Sequence, residues 1–306
     1  MPVHEHWLRV SRKRPCPICA HTDWCAVATS GEVALCQRKS SPWRIGSAGW
    51  LHLLKERECS GVRTIAHPGR QAILSPSEQA RIAAQARACF HAGGDAWWSQ
   101  LAILLGPGIT TEALHSLRVG RHPERVDVAA FPMGSVQHPT TGIRYRASNG
   151  TKWSETGGHE GLFLALAVPY AGAEMLVVSE GPTDTAALLS AGVIAAGRPN
   201  CSGGTTQLVE AVKSWRPQAV VIAANRDEPK TRPDGTTFLP GQDGARALRL
   251  ALRPYVRTVS IALPDCGLKD WRQLVNRGAT AGEIQAHLQD ALSNTRGLIA
   301  PERTLS

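Results

Sequence analysis

The sequence predicts an α/β protein in three parts: a small cysteine-rich module, a basic α+β segment and a mainly parallel sheet with helices on both faces. Three observations carry this reading. From about Ala171 onward, apolar runs of strand length alternate with helical patterns, the mark of parallel strands joined by crossover helices. Between Val119 and Leu166 the runs are shorter and separated by turn residues, as in antiparallel hairpins. Four cysteines crowd into one short stretch between Cys16 and Cys36.

Residues 1–60 form the first module. Cys16-Pro-Ile-Cys19 has the spacing with which a tight turn presents two thiolates to one metal ion. Trp24-Cys25-Ala-Val-Ala reads as a strand, Ser30-Gly31 as a turn, and Val33-Ala-Leu-Cys36 as the returning strand, which is a zinc-ribbon layout. Lys39 stands where a second Cys-x-x-Cys would end, so the ligand set reads Cys16, Cys19, Cys36 and Cys25, with His21 and His52 as alternatives to Cys25. Four protein ligands leave no open position, so the zinc is structural. Cys59, Cys89, Cys201 and Cys266 are scattered and read as ordinary thiols.

Residues 61–76, with Pro68, Gly69 and Pro76, read as a linker. The segment 77–170 follows. Ser75-Pro-Ser-Glu opens a helix to about Ala92, Asp95–Leu105 gives a second that Gly106-Pro-Gly108 stops, and Thr111–Leu117 a short third. Strands are expected at Val126–Pro132, Gly142–Arg146 and Lys152-Trp153, with Asn149-Gly150 as the hairpin turn. Arg144, Arg146 and Lys152 fall at even spacings, which places them on one face of the pair. With Trp153 they form a surface able to bind phosphates and stack a base.

Residues 171–293 carry the alternating pattern. Strands are expected at Met175–Ser179, Val193–Ala196, Ala219–Ala224 and Val256–Ala262, and helices at Thr183–Ala191, Thr205–Trp215, Gln242–Leu252 and Glu283–Ser293; residues 294–306 read as a flexible tail. Leu176-Val-Val-Ser-Glu180-Gly-Pro-Thr-Asp184 delivers two acids to a strand end and a helix start. Ala219–Ala224 ends in Asn225-Arg-Asp227-Glu228, a second acidic cluster at a strand end, where sheets of this class place ligands. The two clusters are placed to share one divalent cation.

The formal net charge is +9, mostly from arginine, which suits bidentate contact with phosphates. No apolar run approaches about 20 residues and the first residues lack a signal-peptide apolar segment, so a cytoplasmic protein without membrane contact is expected.

At Glu180-Gly-Pro-Thr-Asp184 the chain resembles the Toprim domain, whose pattern is a strand ending in Glu-Gly-x-x-Asp and a later strand ending in Asp-x-Asp. Asn225-Arg-Asp227 resembles the second part, with Asn at its first acid, and Gly241-Gln-Asp-Gly244 resembles the glycine and helix that follow, displaced by an insertion of about Lys230–Leu239. The order zinc ribbon, basic strands, Toprim resembles the primase-like core of DnaG-type DNA primases. The resemblance implies a nucleotidyltransferase that makes short RNA primers on single-stranded DNA from nucleoside triphosphates. It implies Mg²⁺ or Mn²⁺ held by Glu180, Asp227 and Asn225, with Glu180, Asp184 and Asp227 catalytic. Asp234 or Asp243 would make up the charge missing at Asn225. Arg144, Arg146, Lys152, Trp153, Lys269 and Asp270 would bind substrate and template. No Walker-type lysine motif follows, so a stand-alone primase of a phage, plasmid or integrated element is expected, with a separate replicative helicase as partner. Two other classes remain: a non-catalytic recombination or repair mediator of RecR type, in which zinc and Toprim also occur together, and a Toprim nuclease, in which the same acids would activate water, though Lys152-Trp153 and the zinc-first order argue against it.

Overall fold

The computed structural model describes residues 7–29, 31, 33–41, 43–44, 49–54, 74–231 and 235–297. Most of the expected linker lies outside them, as do Cys59, Asp234 and the chain beyond residue 297. The chain divides into two compact units, Met1–Ala72 and Ile73–Ser306.

The first unit is one antiparallel sheet of β1 (Trp7–Arg9), β2 (Ala26–Ala28), β3 (Val33–Cys36), β4 (Trp43–Arg44) and β5 (Trp50–Leu53), in the order β1-β2-β3-β5-β4. The ribbon pair expected from sequence is β2 and β3, and β1 and β5 extend it on either side. Its buried core is Val10, Cys16, Cys25 and Cys36, with Ile18 and Val27 packed against them. A core this small, half of it thiols, does not hold a fold without a further tie.

In the second unit Ser75 opens α1 (Pro76–Ala92) with a capping box: Ser75 Oγ accepts from the Glu78 N–H and the Glu78 carboxylate accepts from the Ser75 N–H at 2.9 Å. There follow α2 (Asp95–Leu105), α3 (Thr111–Ser116), β6 (Gly120–Arg121), β7 (Val128–Met133), β8 (Gly142–Ala147) and β9 (Lys152–Ser154). These four strands form an antiparallel sheet in sequence order. One face, with Val128, Ala130, Ile143 and Tyr145, packs on Ile82, Ala86 and Cys89 of α1. On the other face, Ala129, Phe131 and Met133 enter the largest core of the molecule.

That core continues into the parallel part: β10 (Met175–Glu180), α4 (Gly181–Ser190), β11 (Ala195–Arg198), α5 (Thr205–Trp215), β12 (Ala219–Ala223), a small hairpin of β13 (Lys230–Thr231) and β14 (Thr237–Phe238), α6 (Pro240–Leu252), β15 (Thr258–Ala262), α7 (Trp271–Asn276) and α8 (Ala281–Gly297). The strands lie in the order β11-β10-β12-β15, all parallel. Both faces are covered, which is why the strands read as unbroken apolar runs. Val177 and Val221 face the core that α4, α7 and α8 share with the antiparallel sheet, whereas Leu176, Val178, Val220 and Ile222 face α5 and α6. The segments 77–170 and 171–293 therefore share one core. They are also joined by backbone: Phe163 and Gly197 exchange two hydrogen bonds of 2.9 Å each. A Cβ on Gly197 would stand 2.1 Å from Thr185 Oγ1, so only glycine permits that bridge.

From β10 the chain crosses to β11 on one side, and from β12 it crosses through α6 to β15 on the other. The strand order thus reverses between β10 and β12, which opens a crevice outside their carboxyl ends. Helix α7 was not anticipated from sequence: its six residues show little helical period, and unlike the equally short α3 it has no Gly-Pro-Gly stop before it to mark a new start. No helix among the described residues is long and apolar enough to cross a membrane.

Trp271 ties α7 to the end of β12: it is 0% exposed and its indole N–H donates to the Ala224 carbonyl at 3.2 Å. Trp271→Ala is expected to cost about 3–5 kcal/mol in denaturant unfolding, against a much smaller loss for Trp271→Phe. Equal losses for the two would contradict a packing role.

Candidate functional site

In the N-terminal unit the sulfur atoms of Cys16, Cys19, Cys25 and Cys36 all lie within 4.8 Å of one another. Cys19 Sγ and Cys25 Sγ are 3.8 Å apart, the edge of a sulfur tetrahedron around an ion about 2.3 Å from each ligand. The knuckle is closed by the Ala20 N–H on the Cys16 carbonyl and the Cys16 N–H on the His21 carbonyl, both at 2.8 Å. Backbone N–H groups of Arg38 and Lys39 point at Cys36 Sγ at 3.4 and 3.3 Å, the kind of support that steadies thiolate ligands. Both histidines are engaged elsewhere: His21 Nδ1 lies 2.9 Å from the Cys19 carbonyl oxygen and His52 Nε2 lies 3.0 Å from that of Lys39. The convergent set is therefore four cysteines, and it fits a zinc ion. Burial pushes Cys16 up and Cys25 up to about 12. Burial acts the same way on Cys19, but the His21 N–H and the Cys16 thiol outweigh it and bring Cys19 to about 6. Binding an ion must strip protons from the resistant thiols, so affinity rises with pH.

The second site is the crevice between β10 and β12. Glu180 ends β10, Asn225 and Asp227 follow β12, and Gly181 turns the chain into α4 with φ +77°. Three oxygens converge on the first turn of α6. A Cβ on Gly241 would stand 2.7 Å from the Asn225 carbonyl oxygen and 3.2 Å from both Asp227 Oδ2 and Glu180 Oε1. Asp227 Oδ2 accepts the Gly241 N–H at 2.9 Å, and Gln242 brackets the Asp227 backbone with two bonds of 3.3 Å. Asn225 Oδ1 is buried without a hydrogen-bond partner. Burial, then the Asp227 charge, pushes Glu180 up to about 7. Two carboxylates and a carbonyl make an oxygen-rich donor set suited to a hard divalent cation, and the unpartnered Asn225 amide oxygen is a further donor on the same residue as that carbonyl. This set is more open than the thiol cluster, which among the described residues is the one group bringing three or more His, Cys or acidic ligand atoms so close.

Asp184 belongs to a different group. It is 4% exposed, and its Oδ1 accepts the Arg272 N–H of α7 at 3.2 Å. Burial, then Asp270, pushes Asp184 up to about 8. Asp270 is the N-cap of α7, accepting the Gln273 N–H at 2.9 Å. Glu228 is exposed. Asp243, expected to compensate for Asn225, instead accepts the Leu239 N–H at 2.9 Å and pairs with Arg246 at 2.6 Å. Asp234 lies outside the described residues.

A polar cleft of about 410 Å³ runs from Glu180, Asp184 and Asn225 to Arg144, Arg146 and Lys152 on the antiparallel sheet. Lys269, Asp270 and Arg272 close its far edge. Burial lowers Arg146, with Arg272 adding to the effect, and burial lowers Lys152, with Arg146, Arg144 and Lys269 adding to it. The cations thus crowd one another, a field that a polyanion relieves. Arg144 Nε and Arg272 Nε are buried without hydrogen-bond partners. Trp153 does not join this surface. It follows Lys152 on β9, so strand alternation turns it to the opposite face, where it stacks on Tyr145 at 5.4 Å with Arg125 over its ring at 5.0 Å.

Two residues absent from the sequence reading belong here. Arg272 is a cation in the first turn of α7, where the dipole disfavours one, and because that helix was not anticipated the sequence offered no signal for it. Arg198 ends β11 opposite Glu180 and is 2% exposed, and nothing in the sequence marked it, because its strand was expected to end at Ala196.

No protein-family model matches the chain, and no curated protein matches it in sequence. Solved structures do resemble it. A DnaG primase catalytic domain bound to single-stranded DNA superposes with a TM-score of 0.53 at 14% identity, over 71% of this chain and 81% of that one. A DnaG catalytic core gives 0.52 at 14% identity, over 70% and 80%. The zinc-binding and RNA polymerase domains of Aquifex aeolicus primase give 0.51 at 14%, over 70% of this chain and 60% of that one. The chain has the fold of DnaG-type primase cores.

Purified protein is expected to carry one zinc ion, lost in a Cys16→Ser/Cys19→Ser variant and in Cys25→Ser but kept in His21→Ala and His52→Ala; zinc retained by Cys25→Ser would remove that ligand from the set. A pH prediction follows from Asp184. Its folded pKa, about 8, exceeds the ordinary 3.8, so the folded state keeps a proton that the unfolded chain releases, and stability falls as pH rises through that window. Asp184→Asn keeps an acceptor for the Arg272 N–H without the titration. Its melting temperature is expected to gain on the parent's from pH 4 to pH 8 without added divalent cation, and a difference flat with pH would refute the assignment.

Proposed function

We propose that the protein is a DNA primase-like nucleotidyltransferase that synthesises short RNA primers on single-stranded DNA, in replication of a chromosome or mobile element. The observation that carries the reading is the pairing of Glu180 and Asp227 at adjacent strand ends with a cleft walled by arginines and lysines. Acids on one wall and cations on the other suit a nucleoside triphosphate, whose phosphates need both a metal ion and direct positive contacts. The likeness to a primase domain bound to single-stranded DNA supports the choice of template.

In this reading residues 1–60 are a zinc ribbon that engages template, 77–170 hold template and incoming nucleotide, and 171–293 are a Toprim domain. Mg²⁺ or Mn²⁺ held by Glu180, Asp227 and the Asn225 amide oxygen would supply the charge that neutralises the triphosphate and polarises its α-phosphate. Arg144, Arg146 and Lys152 bind phosphates, which cancel the repulsion among them. Lys269 and Arg272 meet the substrate from the opposite edge. Glu180, with its pKa near 7, is placed either as a ligand or as acceptor of the proton of an attacking 3′-hydroxyl. Asp184, buried and bonded to α7, acts as a positioning residue that keeps Arg272 at the cleft.

One observation favours a second reading, a zinc-containing DNA-binding mediator of recombination or repair without turnover: the neutral Asn225 weakens the acid set. The zinc-loaded protein, incubated with single-stranded DNA, labelled ribonucleotides and Mg²⁺ or Mn²⁺, is expected to yield short oligonucleotides, with yield falling at least about a hundredfold in Asp227→Ala, the scale of losing one positioned electrostatic group. Degraded template would point to a Toprim nuclease, and DNA binding with neither product to the mediator.

A further inference from the structure

Around the acid pair, two substitutions of charge stand out together. The first residue beyond the apolar run of β12 and its flanking Ala224 is Asn225, an amide whose Oδ1 is buried and unpaired. On the other flank of β10, Arg198 is the strand partner of Glu180 and is 2% exposed. Its donors go to neutral acceptors: the Gly203 carbonyl at 2.9 Å, Thr205 Oγ1 at 3.4 Å and the Gly244 carbonyl at 3.5 Å. Among the described residues no carboxylate forms an ion pair with this guanidinium, yet Glu180 is the first charge acting on it.

Keeping a guanidinium out of water is costly unless its charge is answered. Neutral donors would serve the Gly203 carbonyl, Thr205 Oγ1 at the start of α5 and the Gly244 carbonyl of α6 equally well, so support of these three acceptors does not account for the charge. What the charge does is offset Glu180. Two carboxylates and one guanidinium leave the set a single net negative charge, with Asn225 adding none. One divalent cation already reverses that sign. A second, at the spacing of about 3.5–4 Å found in two-metal sites, would enter against both the first ion and the guanidinium, with an amide in place of a bridging carboxylate.

We propose that the crevice takes a single divalent cation, and that Arg198 supplies from within the protein the second positive charge of the site. Arg198 is thus a positioning residue: it acts through Glu180 and touches no substrate. The proposal rests on Glu180 and Asp227 being cation ligands, as in the function proposed above.

Mn²⁺ titration of the zinc-loaded full chain, followed by the electron paramagnetic resonance of free Mn²⁺, tests it; Mn²⁺ ranks below zinc for thiolates and leaves the cysteine cluster untouched. The parent is expected to bind one Mn²⁺. Asn225→Asp is expected to admit a second ion, and Arg198→Gln to tighten the first by about tenfold or more through removal of a nearby charge. Arg198→Lys, which keeps the charge but not the three hydrogen bonds, is expected to match the parent. Two ions of similar affinity in the parent would overturn the proposal, as would Asn225→Asp and Arg198→Gln both leaving number and affinity unchanged. Primer synthesis alongside two bound ions would overturn the single-cation inference while leaving the primase reading intact. No bound ion at all would overturn both.

Discussion

Parallel pairing of β10 with β12, Ser179 against Ala223, is the constraint on which the rest of this molecule depends. It places the two strand ends side by side while their connections leave in opposite directions, so Glu180 and the Asn225–Asp227 segment face each other across a gap. The first turn of α6 then enters the gap with glycine at the point of closest approach. Every later feature of the acidic wall follows from that geometry: the hydrogen bond from Gly241 to Asp227, the bracket by Gln242, and the burial that makes Glu180 reluctant to ionise.

The cationic wall depends on the alternation of β8 and β9. Arg144, Arg146 and Lys152 share a face because the pleat has a period of two, and the same rule sends Tyr145 and Trp153 to α1. The aromatic that looked ready to stack a base in sequence is spent on packing. A desolvated arginine cluster is unfavourable by itself; Glu160 pairs with Arg144 at 3.7 Å and the Leu105 carbonyl accepts from Arg272 at 3.1 Å, yet the Nε of each stays buried without a partner.

Much of this was legible before any coordinates. Long apolar runs locate the central strands within a residue or two, and the capping signature at Ser75–Glu78 marks the start of α1. The acids at the ends of β10 and β12 were visible because acids seldom terminate two buried strands by chance. What escaped is what depends on tertiary neighbours. Helix α7 and the strands β1, β5, β13 and β14 are too short to carry a period. Arg198 and Arg272 look like any surface arginine in a chain rich in them, and only the packing of β11 on β10 and of α7 on α4 removes them from water. Asp184 was grouped with Glu180 because they lie four residues apart. The helix between them turns it toward α7, so the two acids line one cleft while Glu180, and not Asp184, meets Asp227 at Gly241.

The backbone bridge between Phe163 and Gly197 joins the end of the antiparallel segment to β11, and the two walls of the cleft also meet in one hydrophobic core. They behave as a single casting rather than as jaws. Changing the spacing of the two walls would mean breaking that shared core, which leaves the long arginine and lysine side chains that line the cleft as its adjustable part.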